Sequence, residues 1–208
     1  METRKPKFSD FWEYNKGKVI GGILIVAFIV FFITQCNTNP GTDLGILHIC
    51  EKNGVKGSQL TEHLLANVSV EPRNEGDSPE AEFTAVFIPP SSSDAMETGA
   101  MEKIQMEFAS GECNLYILDS ETLYSYSDTG LFAPLDEYAE KYQIAEDALY
   151  KDESGNIIGI SAQANPVLEE YDIENEGLFF ALRVPLKKYQ TGNQNAKKAF
   201  DYIMDKTY

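Results

Sequence analysis

The chain is poor in the residues that carry most enzymatic and metal chemistry. Its 208 residues include three cysteines (Cys36, Cys50, Cys113) and two histidines (His48, His63). They form no C-x-x-C pair and no Cys/His spacing of a zinc site. G-x-S-x-G, P-loop and H-E-x-x-H patterns are absent, which removes the common signatures of serine hydrolases, nucleotide hydrolases and zinc proteases. Basic residues are also scarce, 17 against 33 acidic, for a net charge of −16. Such a surface repels phosphate backbones and anionic headgroups, so nucleic acid is excluded as a natural partner. The plain reading of the acidity is solubility. There is no internal repeat and no low-complexity tract, and no cofactor or metal is expected.

The charge is unevenly placed. Residues 1–36 hold five basic and three acidic side chains, leaving 12 and 30 for the remainder. Residues 19–33, VIGGILIVAFIVFFI, carry no charge. At 1.5 Å per residue they reach about 22 Å, and Thr34, Gln35 and Cys36 extend them towards the ~30 Å of a hydrocarbon core. Lys16 and Lys18 can snorkel, and Trp12 and Tyr14 suit the interfacial aromatic belt. All five basic residues of this segment precede the apolar run, so the positive-inside rule places the N-terminus in the cytoplasm and the long segment outside. The exit, ITQCNTN, has no A-x-A-like cleavage site, and Gln35 is too large to precede a lipoprotein cysteine. The run therefore reads as an uncleaved signal-anchor rather than a cleaved signal peptide. The expected division is a cytoplasmic basic-aromatic lead (1–18), a transmembrane signal-anchor helix (19–36), a linker (37–43) and an extracytoplasmic domain (44–208). The localisation that follows is the cell membrane, single-pass.

Beyond the linker, apolar runs of strand length alternate with helical patterns. LGILHIC (44–50), EFTAVFIPP (82–90) and NLYILD (114–119) read as strands. KGSQLTEHLL (57–66) reads as a short helix with Ser58 as its N-cap. Residues 94–110 place Met96, Ala100, Met101, Ile104 and Phe108 on one helical face. SETLYSY (120–126) and LDEYAEKY read as helices, and 148–163 as a hairpin around Glu153 to Asn156. LFFALRVPL (178–186) is a further strand. NAKKAFDYIMDK closes the chain as a helix with Ala196, Phe200 and Ile203 or Met204 inward. Near-continuous apolar strands between helices predict an α/β fold, a mostly parallel sheet with helices on both faces, preceded by one transmembrane helix. In such a sheet Cys50 and Cys113 lie at opposite edges, about 15–20 Å apart. That is too far for a disulfide, which needs Cα atoms within about 7 Å.

The run FASGECNLYILDSETLYSYSDTGLFAPLDEYAEKY (108–142) resembles extracellular solute-binding proteins of ABC importers. The resemblance rests on Ser110-Gly111, on the strand Asn114 to Asp119, and on Gly130-Leu131-Phe132-Ala133-Pro134-Leu135-Asp136. GNIIGIS (155–161) is similar to a later strand of that family. The lead FWEYNKGKVIGGILI is similar to small single-pass membrane proteins of Gram-positive bacteria. The resemblance implies a periplasmic-binding-protein-like single lobe, because under 50 residues follow GNIIGIS, too few for a second lobe of ordinary size.

His48 lies within an apolar strand and reads as structural, and His63 lies on a surface helix. Glu169-Glu170 and Asp136-Glu137 read as solvated faces, and DESGN (152–156) lacks the spacing of a calcium loop. In an open α/β sheet, ligands bind beyond the carboxyl ends of the strands. That edge includes Lys52 and Asn53 after the first strand, Ser91, Ser92 and Ser93 after the second, and Asp119 and Ser120 after the third. The same residues equally suit turn and cap chemistry. The expected function is a non-enzymatic, membrane-anchored extracytoplasmic binding module for a small solute. The alternative is an accessory subunit that docks on another membrane protein, such as a transporter, without binding a small molecule. An exposed apolar patch at that edge favours docking, and a concave polar pocket favours a ligand.

Overall fold

The computed structural model describes residues 42–51, 56–88 and 94–208. The predicted anchor (19–36), its lead and most of the linker lie outside the described residues. Among those described, no helix is long and apolar enough to cross a membrane.

Residues 42–208 form one compact unit. Its centre is a six-stranded sheet in the order β2-β1-β3-β6-β5-β4. The strands are β1 Leu44–Cys50, β2 Ala81–Phe87, β3 Cys113–Asp119, β4 Leu149–Lys151, β5 Ile157–Ser161 and β6 Leu178–Leu182. The main helices are α1 Gly57–Asn67, α2 Asp94–Ser110, α3 Ser120–Tyr126, α4 Asp136–Lys141, α5 Pro166–Glu170 and α6 Gln190–Thr207.

The sheet is mixed, which corrects the expectation of a mostly parallel one. β1 pairs in parallel with β2 and β3, whereas the β3–β6, β6–β5 and β5–β4 pairs are antiparallel. The misreading has a physical cause. A strand covered on both faces is apolar throughout whichever way it runs, and LFFAL is covered on both. Phe180 and Leu182 pack into one core with Leu115, Ile117 and Phe200, and Ala181 packs into the other with Leu47, Tyr116 and Phe132. Helices do cover both faces: α1, α4, α5 and α6 contribute to the first core, α2 and α3 to the second.

Local chemistry sets several boundaries. α1 starts at Gly57, where the Phe83 ring occupies the space of a side chain; an added Cβ would lie 2.1 Å from that ring. Ser58 is therefore inside the helix and not its N-cap; Lys56 holds that position without a side-chain bond. On α2, Ile104 and Phe108 are buried as expected, but Met96 is 54% exposed, because the helix turns that side to solvent. β6 stops at Leu182, short of the predicted 186. Beyond it the backbone still donates, from Arg183 to Asn114 O and from Val184 to Leu131 O, until Pro185 supplies no N–H. α5 had no counterpart in the sequence reading; Asn165 caps it by accepting from the Leu168 amide at 3.1 Å, with Pro166 in its first turn. α6 begins at Gln190, and Ala196, Phe200, Ile203 and Met204 are all buried.

The Gly130–Asp136 stretch threads between the two cores. Gly130 takes φ +69° after a turn of 3-10 helix. Phe132 then packs into one core and Leu135 into the other. Ala133 donates to Leu182 O and Leu135 to Ile157 O, so the connector extends the sheet's hydrogen bonding. Pro134 lies just before Leu135, the capping residue of α4, and so outside the helix.

Candidate functional site

At the carboxyl ends of β1 and β3 the structure has a cleft of about 570 Å³. Two loops diverge here because β2 and β3 lie on either side of β1, each reached by its own crossover. The described lining comes from Ile49 to Glu51 at the end of β1, Ile88 after β2, Glu97 and Met101 on α2, Asp119 to Thr122 and Ser125 at α3, Glu174, Glu176 and Gly177 before β6, and Leu178 at its start. The cleft is concave and mixed in polarity.

Six carboxylates face it: Glu51, Glu97, Asp119, Glu121, Glu174 and Glu176. No basic side chain is among the described lining residues. Asp119 is partly committed, because its carboxylate accepts the Thr122 amide at 2.7 Å and the Thr122 hydroxyl at 3.0 Å as the N-cap of α3. Glu174 accepts the Glu51 amide at 2.8 Å through Oε2. Among the described residues, no cluster of His, Cys, Asp or Glu is disposed to hold a metal ion.

Of the residues singled out from sequence, Asp119 and Ser120 line this cleft. Lys52, Asn53, Ser91, Ser92 and Ser93 lie outside the described residues. The sequence reading missed Glu97 and Met101 on α2 and the whole Glu174–Gly177 wall. The wall reaches the cleft only through β6 pairing beside β3, a long-range event with no local signature.

Among the described residues, the histidines and cysteines are buried or hydrogen-bonded. His48 is fully buried, and its Nε2 donates to the carbonyl of Glu174 at 2.9 Å. Burial holds its pKa below the ordinary value, opposed by that hydrogen bond and by the Glu174 carboxylate. His63 is held between two hydroxyls, Tyr171 at 2.7 Å from Nδ1 and Tyr202 at 2.8 Å from Nε2. Cys50 and Cys113 are free, buried thiols. Burial pushes Cys50 up to about 11 and raises Cys113 further, so neither is a thiolate at neutral pH.

No family model and no curated protein matches the chain. Solved structures show partial likenesses. One is an ABC substrate-binding protein from Listeria monocytogenes in complex with cycloalternan, at 17% identity and a TM-score of 0.34, over 56% of this chain and 27% of that one. Another is an extracellular solute-binding protein of family 1 from Alicyclobacillus acidocaldarius, at 17% identity and a TM-score of 0.33, over 57% and 27%. The chain thus spans about a quarter of the length of either protein.

Proposed function

We propose that this chain is a non-enzymatic binding module that takes a small ligand into the carboxyl-edge cleft, tethered to the membrane by residues 19–36 with residues 44–208 outside the cell. One observation carries the ligand reading: the edge is a concave cleft of about 570 Å³ with polar and apolar walls, within the range of small-molecule sites. The carboxylates around it disfavour anions, so the occupant is neutral or cationic. The non-enzymatic part is supported by the state of the reactive groups. His63 is bonded through both ring nitrogens and the fully buried His48 through Nε2, and both described cysteines are buried thiols. The tether is supported by the uncharged run 19–33 and the five basic residues that precede it.

A thermal-shift screen of the full chain against neutral sugars, amino acids, amines and peptides tests this reading. A ligand at a hundred times its Kd stabilises by about 2.7 kcal/mol, a shift of roughly 5–10 °C for a domain of this size. The shift should be saturable and be weakened by Glu97→Lys, which reverses one charge in the wall. A flat screen, with co-purification of a membrane partner, would replace ligand capture by docking.

A further inference from the structure

We propose that residues 174–177 are an acid-released latch, fastened over the carboxyl edge by His48 and Glu51 at the end of β1. The segment is four residues between two anchors. Ile173 is buried, with its amide bonded to Leu168 O at 3.0 Å, and Leu178 is buried at the start of β6. Left-handed backbone occurs at Asp172 (φ 52°), two residues before the segment, and at Gly177 (φ 72°), its last residue. Between the anchors, Glu176 and Gly177 are exposed. Among the described residues, Glu174 makes two fastening contacts, its carbonyl with His48 and its carboxylate with the Glu51 amide. A segment held by a few polar contacts and little apolar burial opens locally at low cost.

The fastening depends on a neutral His48. With Nε2 donating to a carbonyl, Nδ1 is a buried acceptor without a partner among the described residues. A proton there adds a charge and an unpartnered donor to a fully buried ring, and the open state solvates both. Among the described residues, the charged groups at this edge include Glu174, whose carboxylate favours the imidazolium, Glu51 just after β1, the Lys56–Asp172 ion pair beside the latch, and Glu97, Asp119, Glu121 and Glu176 around the cleft. β2 presents the Phe83 ring, 5.6 Å away by centroids. Burial outweighs Glu174. Acid therefore favours opening. Between pH 7.5 and 5.5 the open population rises by up to about tenfold, the limit for an imidazole that titrates normally only when released. The latch forms one wall of the proposed ligand cleft, so a role in ligand access rests on that reading; the movement itself does not.

Amide exchange of the full chain, followed by NMR at both pH values with and without sub-denaturing urea, tests the latch. The Glu51 amide is bonded to Glu174 Oε2 and the Leu178 amide to Asn175 O, so these two report it. Their protection is expected to be insensitive to urea and to fall by up to about tenfold at pH 5.5, whereas Leu115 in β3 follows urea-dependent global unfolding. His48→Gln keeps a donor for the Glu174 carbonyl but takes no proton, and should abolish the pH response at Glu51 and Leu178. Urea slopes at Glu51 and Leu178 equal to that of Leu115 would overturn the latch, and this comparison needs no variant. A wild-type response flat with pH, or one that persists in His48→Gln, would overturn acid release. No ligand enters the measurement, so a failed latch and a failed ligand screen are separate results.

Discussion

Asn195 on α6 donates its side-chain amide to the carbonyl of Asp43, 3.0 Å away at the start of β1 and 152 residues earlier in the chain. The same amide donates to Glu71 O at 2.8 Å, and its Oδ1 accepts the Glu71 amide at 2.9 Å. One fully buried side chain thereby ties the last helix to the first strand and to the loop before β2. Asn195→Leu leaves the buried Asp43 carbonyl and the part-buried Glu71 amide and carbonyl without these partners and should cost on the order of 3 kcal/mol. Asn195→Asp keeps the acceptor but faces two carbonyls with a carboxylate, and should be at least as damaging. Urea unfolding of both variants measures this; a loss below about 1 kcal/mol for both would refute it.

Two glycines should respond in opposite directions to alanine. A Cβ on Gly45 would sit 2.4 Å from Glu112 O, where β3 carries an extra residue between Gly45↔Cys113 and Ile46↔Leu115. Because backbone cannot give way cheaply, Gly45→Ala should destabilise by several kcal/mol. Gly99 lies within α2 with nothing within 4 Å of the added atom. Gly99→Ala should stabilise by about 0.5–1 kcal/mol through helix propensity alone. Melting temperatures that move in the same direction would contradict the pair.

The buried thiols should be silent in the native protein. In a Cys36→Ser chain, Cys50 and Cys113 are expected to resist an alkylating reagent at pH 7.5 and to react in urea, because burial disfavours the thiolate. Prompt labelling under native conditions would contradict this. For the outside placement of residues 44–208, a cysteine introduced at the exposed Met106 (Met106→Cys) should react with a membrane-impermeant reagent on intact cells; labelling only after permeabilisation would refute it.

His48 should also mark the acid limit of stability. Its native pKa lies below the ordinary 6.5, so the unfolded chain binds more protons and stability is lost as pH falls below that value. At pH 5.5 wild type should lose up to about 1.4 kcal/mol more than His48→Gln, relative to pH 7.5. Equal losses in parallel denaturation curves would remove His48 as the cause.

Much of the architecture was legible because it is written in local patterns. β1 and α3 lie where hydrophobic runs and cap residues put them, and Asp119 caps α3 as its position before a helix implied. Gly130 takes the left-handed turn after its helix, and Ala196, Phe200, Ile203 and Met204 on the buried face of α6 follow from a 3.6-residue period. The apolar hexapeptide that begins at Gly130 is a packed connector between the two cores.

What stayed hidden is non-local. The direction of β6 depends on which neighbour it meets, and an apolar run covered on both faces carries no mark of direction. Its antiparallel insertion between β3 and β5 brings Glu174 to His48 and makes residues 174–177 a wall of the cleft. By itself the sequence determined the element types, the acidic surface, the uncharged run 19–33 and the carboxyl edge as the place to look, because these depend on neighbours within a few residues. Only the tertiary structure decided the mixed sheet, the cleft's carboxylate lining and the latch, because each arises from contacts between segments more than a hundred residues apart or from one strand's choice of partner.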